Sequence, residues 1–244
     1  MAFILVSQTY NPSDGGSAAG PTYTMSSNPF NWATGDLAIV FVQFKGTGTL
    51  SVSGNQAWNT LPQQANGTTS IGRVFWCIWD AGLTINETFG VASGTTALTV
   101  RGFAFRPTST SNSIFTDGIS SNTFTGAAAT VTIPGRTTNY PSTVTMAAWM
   151  SEDDNTWSSL SGTGWTVAYT NLYVRNLQGT DQSMGTGYCI LNGSTTVNDV
   201  SNTMGGVGAD PGIWYSVTFA EDSGAPPPAF SPSDPFGMMG FFGV

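Results

Sequence analysis

The sequence predicts an all-β fold, a jelly-roll-like β-sandwich built from two internally duplicated halves and followed by an extended C-terminal arm. Three observations carry that prediction. Short runs rich in β-branched and aromatic residues recur with turn signals about every 8–12 residues. Nowhere is an i, i+3, i+4, i+7 apolar pattern sustained for three turns, so helix should be almost absent. The third is a series of features that occurs twice. From Asp36 it runs through Trp58, the strand Phe75-Trp76-Cys77-Ile78 and a closing aromatic strand ending at Phe105. From Ser142 it runs through Trp165, Gly187-Tyr188-Cys189-Ile190 and a strand ending at Phe219. The intervals are 22, 19 and 28 residues in the first series and 23, 24 and 30 in the second.

Taken in order, Phe3–Ser7 reads as a strand, and the Pro, Asp and Gly of 11–20 mark a loop. Thr22–Met25 reads as a short edge strand. The run GDLAIVFVQFK from Gly35 to Lys45 is a central strand, apolar on both faces, with Asp36 as a turn residue that bonds local backbone. Lys45–Gly48 turns the chain into Thr49–Val52, and Ile71–Trp79 is a strong strand closed by Asp80-Ala81-Gly82. Thr95–Phe105 alternates cleanly and stops at Pro107, which cannot donate to a ladder. The Ser-rich stretch Thr108–Gly126 reads as the bridge between halves. Ala128–Ile133 opens the second half, Val144–Met150 is its central strand, and Val167–Leu172, Gly187–Leu191 and Ile213–Ala220 follow. Residues 1–222 thus make one sandwich domain, with pseudo-repeats over about 1–107 and 128–222. Residues 223–244 add a stiff spacer around Pro226-Pro227-Pro228 and an apolar arm.

The composition narrows function more than it points to one. Charged residues make up 8% of the chain and the net charge is −8, with no histidine. The six Lys and Arg form no cluster, which argues against nucleic acid and against an anionic membrane surface. No apolar run reaches the roughly 18 residues a spanning helix needs. Met1–Val6 lacks the basic leader and apolar core of a signal peptide, so synthesis in a cytoplasm is expected. Cys77 and Cys189, each inside an aromatic strand, read as buried reduced thiols, with a disulfide open only if their strands are neighbours.

Candidate site residues are few. Without histidine the commonest general base, the usual triads and most zinc sites are gone. No cofactor is expected, and no catalytic residue is assigned. Glu152, Asp153 and Asp154 form the one acidic cluster, readable as a weak metal site, as an acid/base pair for glycoside hydrolysis, or as a solvated turn at a strand end. Of the eight tryptophans, Trp58 and Trp165 hold equivalent places, which favours packing over binding. Trp32 and Trp157 read as loop residues and are the candidates for ligand contact. In the arm, Phe236, Met238, Met239, Phe241 and Phe242 are candidates for docking on a neighbouring subunit.

The strings GDLAIVFVQFKGTGTLSV, GRVFWCIWDAG and TALTVRGFAF, followed by PSTVTMAAWM, GTGYCI and WYSVTFAED, resemble a β-rich module of tailed-phage virion proteins. The resemblance spans about Asn31 to Asp222, and the chain departs from it at Gln56-Ala57-Trp58, where a Gly-Trp pair is usual. It implies a non-enzymatic structural role in a virion, as a capsid decoration or a tail- or fibre-associated subunit. The implied partners are other virion proteins and copies of the chain itself. The alternative expectation is a receptor- or glycan-binding module that attaches to a host surface glycan.

Overall fold

The computed structural model describes residues 3–10, 22–25, 32–68, 70–92, 98–109, 113–126, 130–152, 156–167, 173–175, 182–205 and 210–222. Every regular element among them is a strand. The first half holds β1 (Phe3–Tyr10), β2 (Thr22–Met25), β3 (Leu37–Phe44), β4 (Leu50–Ser53), β5 (Asn59–Thr60), β6 (Gln64–Asn66), β7 (Ser70–Ile78), β8 (Glu87–Val91) and β9 (Leu98–Pro107). The second holds β10 (Ser113–Phe124), β11 (Thr130–Ile133), β12 (Arg136–Thr137), β13 (Ser142–Glu152), β14 (Thr156–Ser161), β15 (Trp165–Val167), β16 (Tyr173–Arg175), β17 (Gln182–Asn192), β18 (Thr196–Val197), β19 (Val200–Gly205) and β20 (Gly212–Asp222).

The halves repeat one strand order. In the first, a six-stranded antiparallel sheet runs β1-β9-β3-β7-β5, with β6 also on β7, and β2-β8-β4 form a three-stranded sheet. In the second, the large sheet runs β10-β20-β13-β17-β15, with β16 also on β17, and β11-β19-β14 form the small one. The second half also carries a two-stranded ribbon, β12-β18.

The four sheets stack as layers, small-large-large-small, and three cores lie between them. Alternation along β3 shows why. Leu37, Ile39 and Phe41 face the core shared with Val144, Met146, Ala148, Met150 and Phe219 of the other half. Ala38, Val40, Val42 and Phe44 face a second core with Leu50, Phe89 and Val91. In the second half Ala147 and Trp149 turn outward to Val131, Trp157, Val200 and Met204. A strand covered on both sides must be apolar at consecutive positions, and all eight residues of β3 are buried. The halves therefore do not close a single two-layer sandwich between them. Each is layered in itself, and they meet through their large sheets.

That meeting is reciprocal. Ala38 lies opposite Cys77 and Thr145 opposite Cys189, which aligns the two large sheets. On this alignment Trp76 corresponds to Tyr188, and Phe105 to Phe219. Trp76 packs edge-on against Phe219 at 5.3 Å, and Tyr188 against Phe105 at 5.7 Å. Residue i of one half meets j of the other and j meets i, the pattern of a two-fold interface. Nearer the other end of the sheets the contact is polar: Gln43 Nε2 donates to the Ser151 carbonyl at 2.8 Å and Ser70 Oγ to the Met150 carbonyl at 3.2 Å. Gly72 permits the close approach there, since a Cβ would strike Met150 Sδ and Ile213 Cδ1.

One expectation needs correction. The stretch expected to bridge the halves contains β10, a twelve-residue edge strand paired along its whole length with β20, so the second half begins there and not at Ala128. The reading of Cys77 and Cys189 as buried reduced thiols holds: both are free and lie in different sheets, and burial pushes both thiols up from their ordinary value, helped at Cys77 by the nearby Glu87 carboxylate.

Candidate functional site

Trp157 lies in β14, not in a loop, and Trp32 directly precedes the turn into β3. Both are 2% exposed. The Trp32 ring meets Trp79 edge-on at 4.8 Å, and its Nε1 donates to Ser7 Oγ. Trp157 Nε1 donates to Ser183 Oγ, and its ring packs on Phe124 and Trp149. Neither presents an open face to a ligand; both tryptophans are core residues. Glu152 ends β13 and pairs with Lys45 at 3.5 Å. Asp153, Asp154 and the arm residues Phe236, Met238, Met239, Phe241 and Phe242 lie outside the described residues. Among the described residues no group of three or more His, Cys, Asp or Glu could hold a metal ion.

Buried carboxylates serve the fold. Asp36 accepts from the Ala33 N–H and from Arg106 Nε and Nη2, at 2.8–3.0 Å. Glu221 accepts from Thr108, Ser109 and Ser142, tying the ends of β9 and β20 to the start of β13. Glu87 is wholly buried; it accepts from the backbone N–H of Asn55 and Gln56 and, at 2.6 Å, from Trp58 Nε1.

Glu87 also exposes the chief difference between the halves. Trp58 and Trp165 are equivalent, because Asn59 pairs with Trp76 and Trp165 with Cys189. Gly54 and Gly162 likewise follow the equivalent strands β4 and β14. In the first half the loop from Gly54 to Trp58 is sealed from beneath by the Glu87 carboxylate, which leaves no room for a side chain at Gly54. In the second half Trp165 Nε1 donates to a main-chain oxygen, that of Asn198, at 2.9 Å. Among the described residues no buried carboxylate fills the space, and the loop borders an open surface cleft of about 730 Å³.

Three segments build this cleft: Gly135–Thr137, Ser161–Thr163 and Thr196–Ser201. They converge because two glycines allow it. A Cβ on Gly135 would run into the Val197 carbonyl, and one on Gly162 into that of Asp199. Asp199 Oδ1 accepts from the Gly135 N–H at 2.7 Å, and Asn198 Nδ2 donates to the Thr163 carbonyl at 3.1 Å. Just upstream, β14 is bulged between Ser158 and Ser161. Ser159 sits there at φ 62°, the one non-glycine with positive φ among the described residues, a conformation held at a cost of about 1–3 kcal/mol. The walls are hydroxyls, an amide and the Asp199 carboxylate over a floor of buried Val197. Arg136 reaches away to Ser120 Oγ and the Ser216 carbonyl, and burial lowers its guanidinium from the ordinary value. Such a set can hydrogen-bond a ligand; it brings no nucleophile–base pair together.

The sequence does not mark this cleft. Its signals were the turn residues Pro134-Gly135, Gly162-Thr163-Gly164 and Asn198-Asp199, which any turn would also show. No protein-family model, curated protein or solved structure matches the chain.

Proposed function

We propose that the chain is a non-enzymatic structural subunit of a tailed-phage virion, decorating the capsid or attached to the tail, and that its halves arose by internal duplication. One observation carries the reading: two halves of the same strand order, β1-β9-β3-β7 over β2-β8-β4 and β10-β20-β13-β17 over β11-β19-β14, joined face to face. We read each as a jelly-roll winding, an arrangement used by capsid and lectin domains. Duplication with a reciprocal interface turns two modules into one rigid block, which suits a particle component. The low charge favours broad contact with other subunits, since few ions would need desolvation. In this reading the partners are virion proteins and further copies of the chain, and residues 236–244 form the docking arm beyond the polyproline spacer.

The test is the solution mass, by light scattering, of the full-length protein and of a variant ending before Pro226. Assembly of the full-length protein with a folded, monomeric truncation is expected. Two monomers of equal stability would remove the arm as an assembly device.

A further inference from the structure

We propose that the cleft between β12, β18 and the Ser161–Thr163 turn is a ligand site, and that its ligand is a neutral, polyhydroxylated molecule of the saccharide class. The first argument is asymmetry. Features shared by both halves, such as the Trp58/Trp165 pair and the Trp76–Phe219 and Phe105–Tyr188 contacts, serve folding and the interface. The cleft lies where the described halves differ, beside a loop whose counterpart Glu87 seals in the first half. Nothing in the repeated fold requires that departure.

The second argument is chemical. Thr137, Ser161, Thr163 and Thr196, four exposed hydroxyl-bearing residues, line one opening. Asn198 adds an amide whose Nδ2 is fixed on Thr163, and Asp199 a carboxylate with one oxygen held by the Gly135 N–H. Hydroxyls that both donate and accept, one oriented amide and one carboxylate match the mixed donors and acceptors of a sugar. An anionic ligand would meet Asp199 while Arg136 is engaged elsewhere. An apolar ligand would find Val197 and little more. Beside the cleft the half-buried Trp165 ring abuts Gly162, its indole held by the Asn198 carbonyl, an aromatic body with its polar edge fixed. The third argument is rigidity. Close glycine packing and main-chain hydrogen bonds hold the three segments before any ligand arrives, which lowers the ordering cost of binding.

The experiment is a titration of isotope-labelled full-length protein by amide-resolved NMR. The probes are methyl glycosides of glucose, galactose, mannose and N-acetylglucosamine and their linked trisaccharides, with glucuronic acid and inorganic phosphate as anionic probes. At least one neutral sugar should shift the amides of Thr137, Thr163, Asn198 and Asp199, with a dissociation constant on the order of 1 mM. Thr196→Tyr, which fills the opening, should weaken it about tenfold or more. The double variant Thr137→Ala/Thr196→Ala, which adds no bulk, should weaken it too and stands alone if the tyrosine variant misfolds. The proposal is overturned if no neutral sugar moves these amides, if the shifts fall elsewhere, if only the anionic probes bind, or if well-folded variants keep the original affinity. It does not depend on the virion reading, since the light-scattering result and this titration can fail separately.

Discussion

Replacing Tyr215 by Phe tests the join between the halves with the loss of a single oxygen. Tyr215 is wholly buried in β20, and its hydroxyl crosses into the first half. There it accepts from the Gln64 N–H at 2.6 Å and lies 2.6 Å from the Gly72 carbonyl and 3.0 Å from that of Pro62. With one proton to give, it donates to the nearer oxygen, Gly72. The substitution leaves the packing of the ring intact and strands two backbone groups. The Gly72 carbonyl is buried and bears the larger penalty, while half-buried Gln64 can partly recover a bond from water. At about 1–3 kcal/mol for a stranded buried group and about 1 kcal/mol for a lost bond, the expected loss is about 2–4 kcal/mol. For a domain of this size that lowers Tm by roughly 4–16 °C. Urea and thermal unfolding of the full chain, followed by circular dichroism, would measure it. The urea slope should not change, because the same surface is exposed on unfolding. A loss under about 0.5 kcal/mol, the scale of an ordinary surface substitution, would refute the argument that this hydroxyl fastens one half to the other.

Other expectations follow from the same geometry. Glu87→Gln sets an amide beside the Trp58 indole and two backbone donors, so one donor faces another; a stability loss of about 2–3 kcal/mol is expected, and an unchanged urea midpoint would contradict the sealing role. Burial raises the Tyr215 phenol and the Cys77 and Cys189 thiols, so the folded state favours their neutral, protonated forms. That contribution is complete below the unfolded values, 9.0 for the thiols and 10.0 for the phenol, and each group's share is lost as pH rises above its own value, by up to about 1.4 kcal/mol per pH unit. Urea midpoints from pH 8 to 11 should fall accordingly, less steeply in Tyr215→Phe, and a flat profile would oppose it. Trp157→Ala should destabilise by about 3–5 kcal/mol, read as a drop in Tm, because the ring is core; full stability would return Trp157 to the surface.

Much of the fold is legible in the sequence because two-sided burial writes itself into composition. β3 and β13 are apolar at consecutive positions, and the matched places of Trp58 and Trp165 and of Cys77 and Cys189 reflect equivalent positions in two like sheets. What escapes is whatever alternation does not mark. β10, with its Ser, Thr and Asn, has one neighbouring strand and a mostly half-exposed surface, so it reads as a linker. β14 is short and polar apart from Trp157 and Leu160, so its buried tryptophan reads as a loop residue. Sequence also cannot say that two doubly covered sheets cover each other; either could have been buried by small sheets alone. The cleft escapes for a further reason. It is made by three segments converging over glycines, and a glycine chosen for close approach looks the same in sequence as one chosen for a turn.

The layering also bears on where function can reside. A two-layer sandwich leaves the outer face of each large sheet available for binding or assembly. Here one face of each large sheet is spent on the other half and the opposite face on a small sheet, so the broad surfaces of the strongest elements are internal. Among the described residues, what remains outside are the outer faces of the small sheets, the strand edges and the loops at the ends. The halves share their strand order but not their ends: the same turn is closed by Glu87 in one and open beside Asn198 and Asp199 in the other. A scaffold of two halves with one strand order is free to keep one half sealed for stability while the other opens, because the reciprocal interface holds both in place. The asymmetry of the loops, against the symmetry of the sheets, is therefore the strongest pointer to function in this molecule.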